Sequence, residues 1–141
     1  MIAIDTNLLV YAHRARVPEH RAARRAIEQA AASDGWGIAA PSVPEFWAVV
    51  THPEAAGRPS SPAQASGFIR ALTAAGAEIW LPGPGFADRL LQVAGDLGVS
   101  GPRVFDLQIA LVAFEGGATE LWTHDKAFVK IPGLAVRDPL A

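Results

Sequence analysis

The chain has 141 residues, of which 50% are hydrophobic and 18% are charged. It is therefore predicted to fold as one globular domain over residues 1–141, and disorder is excluded. Cysteine is absent, which excludes disulfides, thiolate nucleophiles and cysteine-ligated zinc and suits a reducing cytoplasm. The net charge of −2 is too small to indicate a class of partner.

The N-terminus is unlike a secretory signal, because it carries an acid at position 5 and no basic segment. No apolar run approaches the length of a membrane span. We therefore expect a cytoplasmic protein that does not insert into a membrane.

Short apolar runs alternate with longer helical patterns along the chain. The short runs predict five strands, over residues 2–4, 37–40, 78–81, 120–123 and 134–136. Helices are predicted over residues 19–32, 43–50, 63–75, 86–97 and 102–115, and the Pro-, Gly- and Ser-rich segment 51–62 is predicted to be a loop. This alternation predicts a parallel sheet covered by helices on both faces.

Four acids occupy positions that ask for an explanation. Asp5 interrupts two apolar runs directly after the first strand, and Asp125 follows the fourth strand in the same way. Ligands of open parallel sheets lie outside the carboxyl ends of the strands, so these two acids are predicted to share that rim. Asp106 stands in a helix that is apolar on every side and is predicted to be buried, with Arg103 as the nearest cation. Glu45 is the sole acid of its helix.

Each acid also has a plain structural interpretation. Asp5, Glu45 and Asp106 lie near helix starts, where caps and acids favour the helix dipole, and Asp125 suits a turn. If the four converge instead, each pair at ~4 Å repels by roughly 4 kcal/mol at an effective dielectric constant of 20. Such a cluster requires a cation, and carboxylate oxygens predict Mg²⁺, with Mn²⁺ as a substitute.

Four motifs occur in an order typical of one family: DTN at 5–7, PEF with VVTHP at 44–53, FD at 105–106 and ELWTHD at 120–125. With them, the chain resembles the PIN-domain nucleases over essentially its whole length, and most closely the VapC-type toxins of bacterial toxin–antitoxin pairs. The resemblance implies a three-layer α/β/α sandwich around a five-stranded parallel sheet. It also implies a metal cluster of Asp5, Glu45, Asp106 and Asp125, with Asn7 and Thr123 as polar supports.

The same resemblance implies a reaction and partners. The reaction is Mg²⁺-dependent hydrolysis of RNA phosphodiester bonds, and the partners are the RNA, a cognate VapB-type antitoxin and a second copy of the chain. Two positions depart from the family pattern. Relatives commonly carry a further acid where this chain has Ala127, and an asparagine where it has Asp138.

The remaining polar and aromatic residues have simpler interpretations. Arg14 and Arg16 follow the Asp5 segment closely and are candidates for RNA contact, whereas Arg24 is expected to pair with Glu28 on a solvated helix face. The histidines show no metal-ligand spacing and are interpreted as structural, and the tryptophans as core: His13, His20, His52 and His124; Trp36, Trp47, Trp80 and Trp122.

Two rival functions remain open at this point. A haloacid-dehalogenase-type phosphatase also has an acid after its first strand, but it uses a second acid two residues later, where this chain has Asn7. A PIN-like module that binds RNA or protein without cutting is the other, and Ala127 leaves room for it.

Overall fold

The computed structural model describes residues 1–55 and 57–141. Its strands are β1 (Ile2–Ile4), β2 (Trp36–Ala39), β3 (Glu78–Trp80), β4 (Glu120–Trp122) and β5 (Ala135–Arg137). Its helices are α1 (Thr6–His13), α2 (His20–Ala31), α3 (Ser42–Val50), α4 (Pro62–Ala74), α5 (Phe86–Leu97) and α6 (Arg103–Glu115). The bounds of the predicted strands and helices differ from the observed ones by at most one residue.

All five strands are parallel and lie in the order β3-β2-β1-β4-β5. The chain starts at the central strand, extends the sheet on one side with β2 and β3, and then crosses to the other side for β4 and β5. The direction of winding therefore reverses between β1 and β4. In open α/β sheets, the crevice outside such a reversal is the usual ligand site.

Helices cover both faces of the sheet and create two separate cores. Side chains of a strand alternate between faces. Accordingly, Ile4 and Trp122 pack with α1, α2, α3 and α4 on one face. Ala3 and Leu121 pack with α5 and α6 on the other face. The three-layer α/β/α architecture expected from the sequence is confirmed.

Local sequence signals explain where helix α4 begins and where helix α6 ends. Ser61 and Gln64 form a reciprocal capping box at the start of α4, and Pro62 occupies its first turn. Helix α6 ends at Gly116, where a Cβ atom would lie 2.4 Å from Trp80 Cγ. Gly117 then adopts a φ of 103°, a conformation that favours glycine, and turns the chain toward β4.

Some predictions about burial are wrong. Helix α6 is buried mainly between Leu107 and Ala113, but Phe105 is 59% exposed and Asp106 only half-buried, because the helix begins at the open rim beyond the strand ends. Trp47 is 39% exposed, since α3 directs Phe46 and not its neighbour into the core. The other three tryptophans are buried, as expected.

Two smaller expectations also have an outcome. Arg24 and Glu28 are both exposed, but in the described part of the chain they form no ion pair. The segment predicted to be a loop contains no helix or strand in residues 51–55 and 57–61, and Ala56 lies outside the described residues. Within residues 1–55 and 57–141, we find no helix with the length and apolar character needed to cross a bilayer.

Candidate active site

The site lies at the carboxyl ends of β1 and β4, where the winding of the sheet reverses. Ile4 is paired with Trp122, so the residues that follow them, Asp5 and Thr123, stand side by side at the rim. The Asp5 N–H donates to the Trp122 carbonyl at 3.0 Å and extends the pairing by one bond. The sequence-based expectation that Asp5 occupies this rim agrees with the structure.

Asp5 is the innermost acid of the site and is only 5% exposed. Its Oδ1 accepts a hydrogen bond from the Thr6 N–H at 2.8 Å, and its Oδ2 accepts one from the Thr123 hydroxyl at 2.8 Å. The first bond caps α1, so the plain interpretation of Asp5 as a helix cap is correct in geometry. The cap uses one oxygen, and the second oxygen is held by Thr123, the residue that follows β4.

The Asp5 carboxylate is unusually easy to protonate. Burial raises its pKa from 3.8 to about 6, although the hydrogen bonds from Thr123 and Thr6 act in the opposite direction. The negative charges of Glu45 and Asp106 raise this pKa further. The three carboxylates therefore lie close enough to repel one another.

Asp106 connects the remaining acids. It stands in the first turn of α6, and partial burial raises its pKa, to which the charges of Asp125 and Glu45 add. Only Arg103, one helical turn earlier, lowers it. Each of the four predicted acids thus interacts electrostatically with at least one other. Asp5 lies inside, Asp106 is half-buried, and Glu45 and Asp125 are exposed at the outside.

Thr123 organises the inner half of the site. Its hydroxyl donates to Asp5 and accepts from the Asn7 amide at 3.0 Å and from the Asp125 N–H at 3.1 Å. This uses the one donor and both lone pairs of a hydroxyl. The Asn7 Oδ1 in turn accepts from the His124 N–H at 3.2 Å. Asn7 and Thr123 therefore fix the backbone that carries Asp5 and Asp125.

Sequence reasoning missed one pair beside the site. His124 Nδ1 lies 2.9 Å from the Asp138 carboxylate, which also accepts from the Leu140 N–H at 2.9 Å. The His124 ring contacts Tyr11 edge-on, with centroids 6.0 Å apart. This contact ties the last residues of the chain to the rim. The sequence carries no spacing signal for it, because the two residues belong to different segments.

The histidines otherwise behave as expected for structural residues. Each of the other three rings also has a hydrogen-bond partner within the chain: His13 with the Ser60 hydroxyl, His20 with the Tyr11 carbonyl and His52 with the Glu54 N–H. None of the three lies among the acids.

The two predicted RNA-binding arginines lie at the far end of α1 from Asp5. The Arg14 guanidinium donates to the carbonyls of Val50, at 2.7 Å, and Arg58, so it anchors the loop after α3. Arg16 is exposed. Arg14, Arg16 and Arg58 line a cavity of about 1030 Å³ that none of the acids reaches. This cavity and the acidic cluster are thus separate features.

The acids suit a hard divalent cation in chemistry, though they are not arranged as a closed cage. Within the described residues, no group of three or more His, Asp or Glu side chains stands close enough to enclose one metal ion. Mg²⁺ does not require this, because it keeps several waters and usually takes one or two carboxylates. The buried hydroxyls of Thr6 and Ser42 have no hydrogen-bond partner in the described part of the chain. Thr6 begins α1 directly after Asp5, and Ser42 begins α3, the helix that carries Glu45. The acids and these hydroxyls therefore fit a hydrated cation.

Comparison with known proteins decides the family. The sequence model of the PIN domain matches residues 2–134. Ribonuclease VapC43 of Mycobacterium tuberculosis is 35% identical over 142 aligned positions, which cover 99% of this chain and 96% of the relative. The chain belongs to the PIN-domain family, among its VapC-type members. The resemblance inferred from the four acids is confirmed.

Solved structures of the PIN fold agree with this assignment. VapBC2 from Rickettsia felis, crystallised with a DNA fragment from its promoter, matches with a TM-score of 0.68 and 22% identity over 98% of each chain. VapC20 of Mycobacterium tuberculosis, described as a toxin that cleaves the sarcin–ricin loop, matches with a TM-score of 0.69 and 12% identity over 91% of this chain and 92% of that one. At these identities the match concerns the fold.

Proposed function

We propose that this PIN domain is a Mg²⁺-dependent endoribonuclease and the toxin of a VapBC-type toxin–antitoxin pair. The observation that carries the proposal is the buried Asp5 carboxylate at the switch point of the sheet, whose pKa is raised by burial and further by the charges of Glu45 and Asp106. The charges of Asp125 and Glu45 in turn raise the pKa of Asp106. The similarity to VapC ribonucleases supports the same reaction.

Asp5 and Asp106 would hold the metal ion, and Asp125 and Glu45 would bind its outer waters. When bound, Mg²⁺ or Mn²⁺ polarises a phosphoryl oxygen and lowers the pKa of a water molecule. Thr123 fixes the orientation of Asp5 by donating to Oδ2. Glu45, exposed at the outside of the cluster, is suited to accept the proton of the attacking water. Arg16 is free to contact an RNA phosphate, whereas Arg14 acts first on the loop.

The partners follow from the same site. A cluster of repelling carboxylates is stabilised by any cation, so an antitoxin segment that presents a basic side chain would occupy the site and block the RNA. We propose a VapB-type antitoxin with such a segment and a homodimer of the toxin, with RNA as substrate in the cytoplasm. The structure of a VapBC2 complex supports the first part.

The test replaces Asp106 by asparagine, which keeps the shape and removes one charge of the cluster. The variant is expected to lose RNA cleavage, to melt at a higher temperature than the parent in EDTA, and to gain less from added Mg²⁺. Asp34→Asn, at an exposed acid before β2, is the control and should match the parent in all three measurements.

Three results would contradict the proposal. Cleavage that survives excess chelator would exclude the metal, and cleavage that survives Asp106→Asn would leave that acid as a first-turn residue of α6 with no part in the reaction. An absence of Mg²⁺-dependent cleavage together with RNA binding would favour the non-cleaving module. The phosphatase alternative has less support, because Asn7 is held by Thr123 and His124 and offers no second acid.

A further inference from the structure

A second cavity, of about 360 Å³, opens beside the first turn of α6. We call it the Arg103–Lys130 pocket after the two cations on its wall. The remaining wall residues used below are apolar: Leu97, Val99, Phe128 and Val129. None of the four acids lines it, so it is distinct from the candidate metal site.

The pocket lies directly beside that site. Arg103 is one turn before Asp106 on α6, a spacing that makes side chains neighbours on a helix. The charge of Arg103 also opposes the rise in the Asp106 pKa that burial causes, which places the two groups within electrostatic reach. On the opposite wall, the Phe128 N–H donates to the Asp125 carbonyl at 3.2 Å. The pocket is thus bounded by the two segments that carry Asp106 and Asp125.

The two cations of the pocket are available to a ligand. Arg103 and Lys130 are exposed, and in the described part of the chain neither forms an ion pair. The loop between Asp125 and Lys130 carries no further acid, since residues 126–130 read KAFVK. The Ala127 N–H donates to the Asp125 carboxylate at 2.9 Å. The wall formed by this loop is therefore positively charged.

The rest of the pocket is apolar. Phe128 and Val129 are 4% and 7% exposed and form the floor, whereas Leu97 is 43% exposed at the edge. A cationic edge over an apolar floor suits a phosphate joined to a flat, weakly polar group. The volume is at the lower end of the ~300–1,000 Å³ range of small-ligand sites, which suits one nucleotide unit.

We propose that the Arg103–Lys130 pocket binds the nucleotide next to the scissile phosphate of a single-stranded RNA. Arg103 and Lys130 bind its phosphate, and its base or ribose packs on Leu97, Val99 and Phe128. The inference rests on the proposed function, and it assigns a nucleotide subsite that lies apart from the acids and from Arg14 and Arg16.

The first experiment measures how binding of a fluorescent single-stranded RNA in EDTA depends on salt. Each phosphate contact to a single strand contributes ~0.7 to the slope of log K against log salt. Arg103→Gln and Lys130→Gln are each expected to lower the slope, and the double variant, which removes the whole contact with that phosphate, to lower it by ~0.7. Arg70→Gln, at an exposed arginine of α4, is the matched control and should keep the parent slope.

The second experiment tests the apolar floor. Replacing one nucleotide of the RNA at a time by an abasic unit should weaken binding to the parent most at one position beside the cut. Leu97→Ala should weaken binding of the intact RNA, and the abasic unit at that position should then have little further effect, since both changes remove the same contact.

The outcomes separate this inference from the proposed function. If the parent binds and cleaves RNA but the slope is unchanged in both glutamine variants, the pocket is wrong and the ribonuclease stands. If the slopes fall as expected but no metal restores cleavage, the pocket stands and the nuclease is overturned. If the parent does not bind RNA at all, both are overturned.

Discussion

The Asp5 carboxylate acts as the cap of α1 and as the innermost acid of the cluster. Each oxygen has a partner of its own, the Thr6 N–H for one and the Thr123 hydroxyl for the other. Burial nevertheless makes the charged form unfavourable, which is why its pKa rises to about 6. A residue that only caps a helix does not require the unfavourable burial of its charged carboxylate. A cation site therefore explains the burial of Asp5 better.

The first prediction concerns pH in the absence of divalent metal. Because the Asp5 pKa rises from 3.8 to about 6 on folding, the folded state binds the proton more tightly. The ionised Asp5 carboxylate therefore lowers the free energy of unfolding by about 3 kcal/mol above pH 6. This destabilisation disappears as the pH falls from 6 toward 4 and the carboxylate becomes protonated.

Asp5→Asn removes this titration while keeping an acceptor for the Thr6 N–H. In EDTA at pH 7 the variant should melt higher than the parent, by ~2–4 °C for each kcal/mol gained. Thermal melts of both proteins between pH 4 and 8 test this. An equal pH slope in the two proteins would mean that Asp5 does not carry the effect.

The second prediction concerns Thr123. Thr123→Val removes the hydroxyl that orients Asp5 and binds Asn7 and the Asp125 N–H. Metal affinity and cleavage should fall about 10- to 100-fold, as for other outer partners of metal ligands. Thr123→Ser keeps the hydroxyl and should retain most activity. Equal loss in both variants, measured by Mg²⁺ titration of cleavage, would assign the residue a packing role.

The individual site residues were predictable to different degrees. Asp5 and Asp125 follow strands in sequence, so their place at the rim could be predicted from the pattern alone. Thr123 was predicted as the last residue of the fourth strand, and its supporting role came from the family resemblance. The His124–Asp138 contact could not, because it joins segments whose relative position depends on how β5 and the chain end pack beside β4.

At the scale of elements, Arg14 links α1 to the loop that follows α3. Its guanidinium donates to carbonyls of Val50 and Arg58, groups that no side-chain pattern reveals. Because Arg14 lies close to the first acid in the sequence, it was predicted to contact RNA. In the structure Arg14 also anchors this loop, and Arg16 is the more accessible of the two arginines.

The third prediction tests this anchoring. Arg14→Met keeps the apolar stem and removes the donors, so the loop should open more often and be cut faster by proteases between residues 51 and 61. The free energy of unfolding should fall by ~1–3 kcal/mol, as carbonyls lose a charged donor. Arg16→Met is the control and should leave the proteolysis rate unchanged while weakening RNA binding. Proteolysis at the parent rate in Arg14→Met would exclude the anchor.

Element bounds were predictable because their signals are local. The capping box of α4 and the glycine pair after α6 act within a few residues. The failures concern exposure. Phe105 and Trp47 look like core residues in sequence, and only the position of their helices relative to the sheet shows that they project outward.

At the scale of the whole molecule, α5 is the least covered helix in the described part of the chain. It contains no fully buried residue, and Leu91 on it is 70% exposed. Helix α5 packs on the sheet through α6, and its outer face carries this exposed apolar side chain. Such a face suits a contact with another chain.

The fourth prediction is that the expected homodimer uses this face. Leu91→Glu should give a monomer in light scattering, because it brings two like charges into the interface. Its melting temperature should then depend less on protein concentration. Arg70→Glu, on the exposed side of α4, should stay dimeric. A monomeric parent, or a dimer unaffected by Leu91→Glu, would contradict the prediction.

The sequence by itself determined the class of fold and the bounds of most elements, and its resemblance to the PIN-domain nucleases pointed to the four acids. The fold and the bounds depend on hydrophobic period and on turn and cap residues, all of which are written along the chain. Only the tertiary structure decided which acids are buried and which are exposed. It also decided that Arg14 anchors a loop, that His124 meets Asp138, and that Arg103 and Lys130 share a pocket. Burial and charge pairing depend on which distant segments meet, and that is fixed by how the helices pack on the sheet.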